Sequence, residues 1–318
     1  MAATLKPGWS KPSTILLASE IPANERVFGC ALAQAAEVGS DLTLLHVSET
    51  PDAAASETSG IRWDGELAGG AEIECLEPLA ERARNIGIHC EIVVRLGLAA
   101  DQILRFLDER EIDRVVMGSR SPGPIGKLLV GSVAEAVLRR ANVPVCIVGP
   151  NVVEGTYRNV AARKILCDVS TREVSHVVVS FSAEVAAAHN ASLILHQVIQ
   201  PQECADLLAD RTIAEIEAEL PSLVPVRLKH KVKVRTRVAL GDPTEELLHG
   251  GRAQQANLIV LGAQDASHFA AITHASTVYK VLAYAHCPVI TLSPIVLGEC
   301  GVKKDRPRAS EAYLAGVF

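Results

Sequence analysis

Between two apolar segments, Arg114-Val-Val-Met117 and Ser132 to Ala141, lies a glycine-rich stretch with the makings of a phosphate site. It reads Gly118-Ser-Arg-Ser-Pro-Gly123-Pro-Ile-Gly126-Lys127 and leads to Gly131-Ser132. Gly118 ends a strand-like run and Gly131-Ser132 opens a helical one. Free amides and the positive dipole end at such a helix start favour an anion. A glycine at 131 lets backbone approach closely, and the Ser132 hydroxyl can bond a phosphate oxygen. The same residues also suit plainer duties, since Gly-Ser is a common helix start and Pro-Gly a common turn. Spacing alone leaves both readings open.

Other chemistries fit less well. GxxxxGK[ST] requires glycine at position 121 and Ser or Thr at 128, where Ser121 and Leu128 stand. A dinucleotide GxGxxG belongs after the first strand, where the chain has Ser19-Glu-Ile-Pro-Ala23. His268, His274, His286 and Cys287 lie close in sequence, but their spacings match no standard zinc motif, so no metal is expected. His46 and His196 read as repeat-equivalent histidines bonded to backbone at a strand end. No GxSxG elbow or paired-carboxylate signal appears, and no base or metal-binding carboxylate pair is visible to position water. The chain is therefore not expected to be an enzyme.

The elements that would position this loop come from an internal repeat. Asp113-Arg-Val-Val-Met-Gly118 matches Asn257-Leu-Ile-Val-Leu-Gly262 at an offset of 144 residues. Val94-Arg-Leu-Gly97 pairs with Val238-Ala-Leu-Gly241, and Asn142-Val-Pro-Val with His286-Cys-Pro-Val, at that same offset. Leu44-Leu45-His46 pairs with Ile194-Leu195-His196 at an offset of 150, which implies six extra residues in the first half, within Thr50 to Gly60. Two domains follow, 12–150 and 160–297, joined by Asn151 to Arg158, with a solvated tail from Glu299 to Phe318.

Each half alternates strands with helical stripes. In the first, strands are expected at Thr14–Ala18, Leu42–Val47, Glu91–Leu96, Arg114–Met117 and Val143–Val148. Helices are expected at Val27–Val38, ended by Gly39, at Glu66–Ile86 with Leu76, Leu79, Ala80 and Ala83 inward, at Ala100–Arg110 and at Ser132–Ala141. The second half repeats the order from Lys164-Ile-Leu-Cys167. Strands separated by such helices give right-handed crossovers and an α/β fold with an open five-stranded parallel sheet in each half. The spacing of Ala205, Leu208, Ala209, Thr212, Ile213 and Ile216 predicts one helix packed on the sheet. The uncharged run Val281 to Gly298 reads as a helix end, a turn and a buried strand rather than a bilayer helix.

Composition agrees. The 318 residues are 48% hydrophobic and only 3% aromatic, which suits a core of Ala, Val, Leu and Ile beneath alanine-rich helices. Lys and Arg total 31 against 37 Asp and Glu, so no basic excess drives nucleic-acid binding. The eight cysteines form no CxxC, several sit in apolar runs, and the first residues carry no apolar h-region. A reduced, cytoplasmic protein without a membrane span is expected.

The repeat and the arrangement Gly118-x2-Ser121-x9-Gly131-Ser132 resemble the universal stress protein family in its tandem two-domain form. The family pattern is Gly-x2-Gly-x9-Gly-Ser/Thr followed by a Pro-Val strand, here Val143-Pro-Val-Cys-Ile-Val148, and its second strand is matched by Leu44-Leu45-His46-Val47. The resemblance implies two domains of the adenine nucleotide alpha hydrolase-like kind, whose fifth strands pair as an intramolecular pseudo-dimer, with a homodimer beyond that. It implies ATP or a related adenine nucleotide in the first domain as a regulatory ligand of a stress-response protein with protein partners. Ala18, Ser19, Glu20, Val47, Met117, Gly118, Arg120, Ser121, Gly131, Ser132 and Val133 would line it. Glu20 stands where the family's ATP-binding branch has Asp, and Ser121 replaces a glycine. In the second domain Gly262-Ala-Gln-Asp265-x9-Ala275-Ser276 loses two glycines and sets a carboxylate at the loop, with Ser170 at the first-strand position and Asp168 before it. No nucleotide is expected there. The alternative is a pseudo-dimeric scaffold or adaptor with degenerate sites.

Overall fold

Apolar runs too short for helices and too continuous for edge strands become the buried middle of a sheet. A computed structural model of the chain describes residues 5–6, 8–48, 70–119, 130–158, 163–169, 172–209, 211–263 and 277–300. The first half runs β1 (Thr14–Ser19), α1 (Glu25–Val38), β2 (Asp41–Ser48), α2 (Gly70–Asn85), β3 (Cys90–Leu96), α3 (Ala99–Glu109), β4 (Arg114–Gly118), α4 (Ser132–Arg140) and β5 (Val145–Val148). A short connecting helix, α5 (Glu154–Arg158), leads to β6 (Lys164–Asp168), α6 (Arg172–Ala188), β7 (Ser192–Ile199), α7 (Pro201–Leu207) and α8 (Ile213–Glu219). The chain continues through β8 (Lys233–Leu240), α9 (Pro243–Gln254), β9 (Leu258–Gly262), α10 (Thr277–Tyr284), β10 (Val289–Leu292) and α11 (Pro294–Glu299).

The ten strands form one sheet in the order β3-β2-β1-β4-β5-β10-β9-β6-β7-β8. Every neighbouring pair is parallel except β5 with β10, which run antiparallel, with Ile290 opposite Cys146 and Val289 opposite Ile147. The fifth strands of the two halves thus pair within one chain. Their residues are all buried, and an edge that would invite association is closed inside the molecule. The uncharged run from Val281 resolves into the end of α10, a turn, β10 and α11. No helix among the described residues is long and apolar enough to cross a membrane.

Local sequence explains the helices. Asn24 caps α1 by accepting from the Arg26 and Val27 amides, and Gly39 ends it in the left-handed region at φ +73°. Leu76, Leu79, Ala80 and Ala83 are the buried stripe of α2, as their spacing predicts. The expected single helix through Ala205 and Ile216 is instead two. Thr212 and Glu215 form a capping box that starts α8 afresh, and of the expected stripe Ile216 is buried while Ala209 is exposed. A strong local start signal overrides a shared periodicity.

Register also corrects the repeat. Ile15 stands opposite Arg114 and Leu42, whereas Ile165 stands opposite Leu258 and Leu193. Since Arg114 and Leu258 are repeat equivalents, Leu42 matches Leu193, an offset of 151 rather than 150. His196 therefore takes the place of Leu45, and His46 matches Gln197. One residue more lies between β6 and the end of α6, where Asn190 holds the left-handed position that Gly39 holds in the first half. One residue of shift turns a strand side chain to the other face.

The outcome for the two histidines is opposite. The His46 ring nitrogen Nδ1 lies 3.0 Å from the Ser19 carbonyl oxygen, the backbone-bonded role expected of it. His196 is fully buried with neither ring nitrogen bonded among the described residues. Burial, with Arg237 and His249 nearby, pushes its pKa down to about 4. The helix over it needs a glycine: a Cβ on Gly250 would lie 2.4 Å from the imidazole. In the first half the equivalents are Leu45 and Phe106, both buried, so a larger strand residue is matched by a bare helix position.

Candidate functional site

In the first half, β1 is the strand from which the chain winds both ways, with β2 on one side and β4 on the other. In open parallel sheets ligands bind outside the carboxyl ends of the strands, at that switch point. Ala18 stands opposite Met117, Ser19 opposite His46, and Gly118 opposite Val148, so the ends of β1, β2 and β4 are level. Met117 is buried. Ala18, Ser19, Val47 and Gly118 are half-buried, and Glu20 is exposed. The Ser19 hydroxyl donates to the Glu20 carbonyl oxygen at 3.0 Å, which fixes the turn leaving the strand.

The start of α4 is fastened beside the same strand end. The Ser119 amide donates to the Val148 carbonyl at 3.3 Å, and the Gly131 amide donates to the Ser119 carbonyl at 3.2 Å. The loop between them is therefore closed at its base, whatever its course. Gly131 has φ −66° and ψ 155°, and among the described residues no side chain caps the helix amides that follow. This contrasts with α1 and α9, where Asn24 and Asp242 take that role. Ser132 is exposed and Val133 half-buried. Unpaired amides at such a helix start favour an anion.

The structure places Ala18, Ser19, Glu20, Val47, Met117 and Gly118 at or just beyond the adjoining ends of β1, β2 and β4, and Gly131, Ser132 and Val133 at the start of α4. Arg120 and Ser121 lie outside the described residues, as do Ser170, Asp265, Ala275, Ser276, His268, His274 and the Thr50 to Gly60 stretch. In the second half the strand end is tied in the same way, the Ala263 amide donating to the Leu292 carbonyl at 2.9 Å. Among the described residues no group of three His, Cys, Asp or Glu side chains could hold a metal ion.

Sequence reasoning passed over a polar cluster where the two halves meet. Glu37 of α1 lies 2.5 Å from Arg163 and 2.7 Å from His189, both of the second half, with all three side chains nearly buried. Beside it Arg114 is 2% exposed and donates to the Gln34 side-chain oxygen at 2.9 Å and to the Trp9 carbonyl at 2.8 Å. The signal was present. Arg114 opens an otherwise apolar strand, at a position where the repeat has Leu258.

Open parallel sheets with a helix start beside the switch point define the class of α/β folds that take small ligands outside the strand ends. Within that class, this chain belongs to the universal stress protein family, which matches residues 13–149 and again 161–293. A universal stress protein of Mycolicibacterium smegmatis is 25% identical over 240 residues, covering 70% of this chain and 79% of that protein. One from Methanocaldococcus jannaschii is 31% identical over 75 residues, 24% of this chain and 44% of its own length. The chain thus spans less than half the length of that relative and of a second from the same organism. The crystal structure of a universal stress protein from Archaeoglobus fulgidus shares the fold, with a TM-score of 0.66 at 20% identity over 90% of this chain and 97% of that one.

Proposed function

We propose that the first half, residues 12–150, binds one adenine nucleotide, ATP foremost, as a regulatory ligand, and that the second half, residues 160–297, does not. The observation that carries this reading is the start of α4, where no side chain among the described residues caps the helix and Gly131 is anchored through Ser119 to the end of β4. Phosphates would lie against the amides of Ser132 and Val133 and the Ser132 hydroxyl. The base would lie over Met117 and between Ala18 and Val47, and Glu20 would bond a ribose hydroxyl. Arg120 and Ser121 would complete the phosphate side. In the second half the sequence repeat has Ala275 at the position of Gly131 and brings a carboxylate, Asp265, into the loop, which would oppose phosphate.

On this reading the protein is a cytoplasmic stress-response regulator rather than a catalyst. Nucleotide occupancy would change the surface seen by a protein partner or a second copy of the chain. The continuous sheet and buried joint favour, as second reading, a rigid scaffold or adaptor that binds no nucleotide.

Titration calorimetry with ATP distinguishes them. A carboxylate at the helix start complements the dipole and leaves the fold intact, but it repels phosphate. Gly131→Glu is expected to weaken ATP binding at least about tenfold, equivalent to about 1.4 kcal/mol, and Ala275→Glu to leave it unchanged. No heat from a folded wild-type protein would remove the nucleotide reading and leave the scaffold.

A further inference from the structure

Cys30 of α1 and Cys146 of β5 are both fully buried. Gln34 sits over the pair, its amide nitrogen 3.3 Å from each sulfur. The orientation of that amide follows from its other end. Arg114 has only donors, so the group facing it at 2.9 Å must be the Gln34 oxygen, and the NH2 must face the sulfurs. Both sulfurs therefore accept from Gln34, an arrangement suited to one thiolate receiving the remaining S–H. Hydrogen bonding from Cys30 holds Cys146 below the usual thiol range against the effect of burial. Gln34 and the Arg114 and Arg163 guanidinium groups add to this, while Cys30 is held above that range.

The repeat shows that the fold does not require this. By the registers above, Cys30, Gln34, Arg114 and Cys146 correspond to Phe181, Val185, Leu258 and Ile290, four apolar residues. Elsewhere buried cysteines behave as hydrophobes, and desolvation pushes Cys167 up to about 12. Arg114 forms no ion pair with a carboxylate among the described residues, and Cys146 is the largest of the negative groups that favour its charge, ahead of Asp113 and Glu37. Access exists as well. A cavity of about 30 Å³ between the two halves is lined by Cys30, Gln34, Arg114, Tyr157, Arg163 and His189, room for a molecule the size of water or peroxide.

We propose that Cys30 and Cys146 are a redox site, oxidised by hydrogen peroxide to an intramolecular disulfide at the joint between the halves. Cys30, which lines the cavity, hands its S–H proton to the Cys146 thiolate, and its sulfur, now the thiolate, attacks one peroxide oxygen. The O–O bond breaks, Cys30 becomes a sulfenic acid, and the hydroxide released takes the proton already lost from the pair and leaves as water. The Cys146 sulfur then attacks the Cys30 sulfur. The S–S bond forms, the S–O bond breaks, and the departing hydroxide takes the Cys146 proton as a second water. Two thiols and one peroxide give one disulfide and two waters, the sulfurs oxidised and the peroxide oxygens reduced. Cys146 lies opposite Ile290 in the antiparallel strand pair, so oxidation acts where the two halves are sewn together.

The test is graded hydrogen peroxide on the reduced full-length protein, followed by denaturation, alkylation of remaining thiols and peptide mass mapping. The result expected is a Cys30–Cys146 linked peptide, formed while Cys167 and Cys287, also fully buried, still alkylate. Gln34→Leu, which removes the donor to both sulfurs, is expected to slow that linkage about tenfold, as for a one-unit rise in thiol pKa, and to leave oxidation of exposed Cys75 unchanged. The proposal is overturned if Cys30 and Cys146 still alkylate after Cys75 is fully oxidised. It is equally overturned if all buried cysteines react together, or if the two oxidise separately without linking.

Discussion

Replacing Glu37 by alanine is expected to lower the unfolding free energy by about 3–5 kcal/mol. Glu37 belongs to α1 of the first half, and both of its partners belong to the second. Its side chain is 7% exposed, Arg163 is 11% and His189 is 2%. Truncation leaves a guanidinium nearly out of water, with Arg114 close by and no carboxylate between them. The loss comes from that stranded charge more than from the pair itself, so Glu37→Leu combined with Arg163→Met should recover much of it. Urea unfolding followed by circular dichroism measures both. A loss under 1 kcal/mol for Glu37→Ala would mean that water reaches the cluster freely and that the joint is not held as described.

Acidification from pH 6.5 to 4 is expected to remove up to about 3 kcal/mol of stability through His196. Its pKa is about 4 in the folded protein against 6.5 in the unfolded chain, because burial and the Arg237 charge oppose protonation. Between those values the unfolded chain binds the extra proton, so stability is complete above pH 6.5, falls with pH, and levels off near 4. His286 is also held down by burial and contributes in the same direction. The effect of His196 is therefore the difference between wild type and His196→Leu, the residue type found at the equivalent Leu45. Unfolding midpoints across this pH range should fall more steeply for wild type. Parallel curves would show that His196 is hydrated or paired.

The architecture was legible because it rests on patterns repeated along the chain. Strand runs such as Thr14–Ala18 and helical stripes such as Leu76, Leu79, Ala80 and Ala83 each demand one face of a sheet, whereas the fifth-strand pairing was expected from the family resemblance alone. Equivalence at one-residue precision was not legible. Leu44-Leu45-His46 and Ile194-Leu195-His196 look alike, yet register turns His196 inward and His46 toward backbone. The break between α7 and α8 was missed because an apolar spacing continues across Thr212 while its hydroxyl starts a new helix. Around the candidate site, Gly118, Gly131 and Ser132 stand out as residue types, whereas Ser119 does not, because its role lies in the backbone bonds that close the loop. The joint between halves was hardest to foresee. Glu37, Arg163 and His189 are far apart in sequence, and only Arg114 in an apolar strand marked the place.

The measurement that bears most directly on the central claim is native mass spectrometry of the full-length protein with added ATP. The asymmetry between the halves predicts one adenine nucleotide per chain, lost on Gly131→Glu and retained on Ala275→Glu. Two nucleotides per chain would contradict the reading of the second half, and none at all on the folded wild-type protein would contradict the nucleotide reading as a whole.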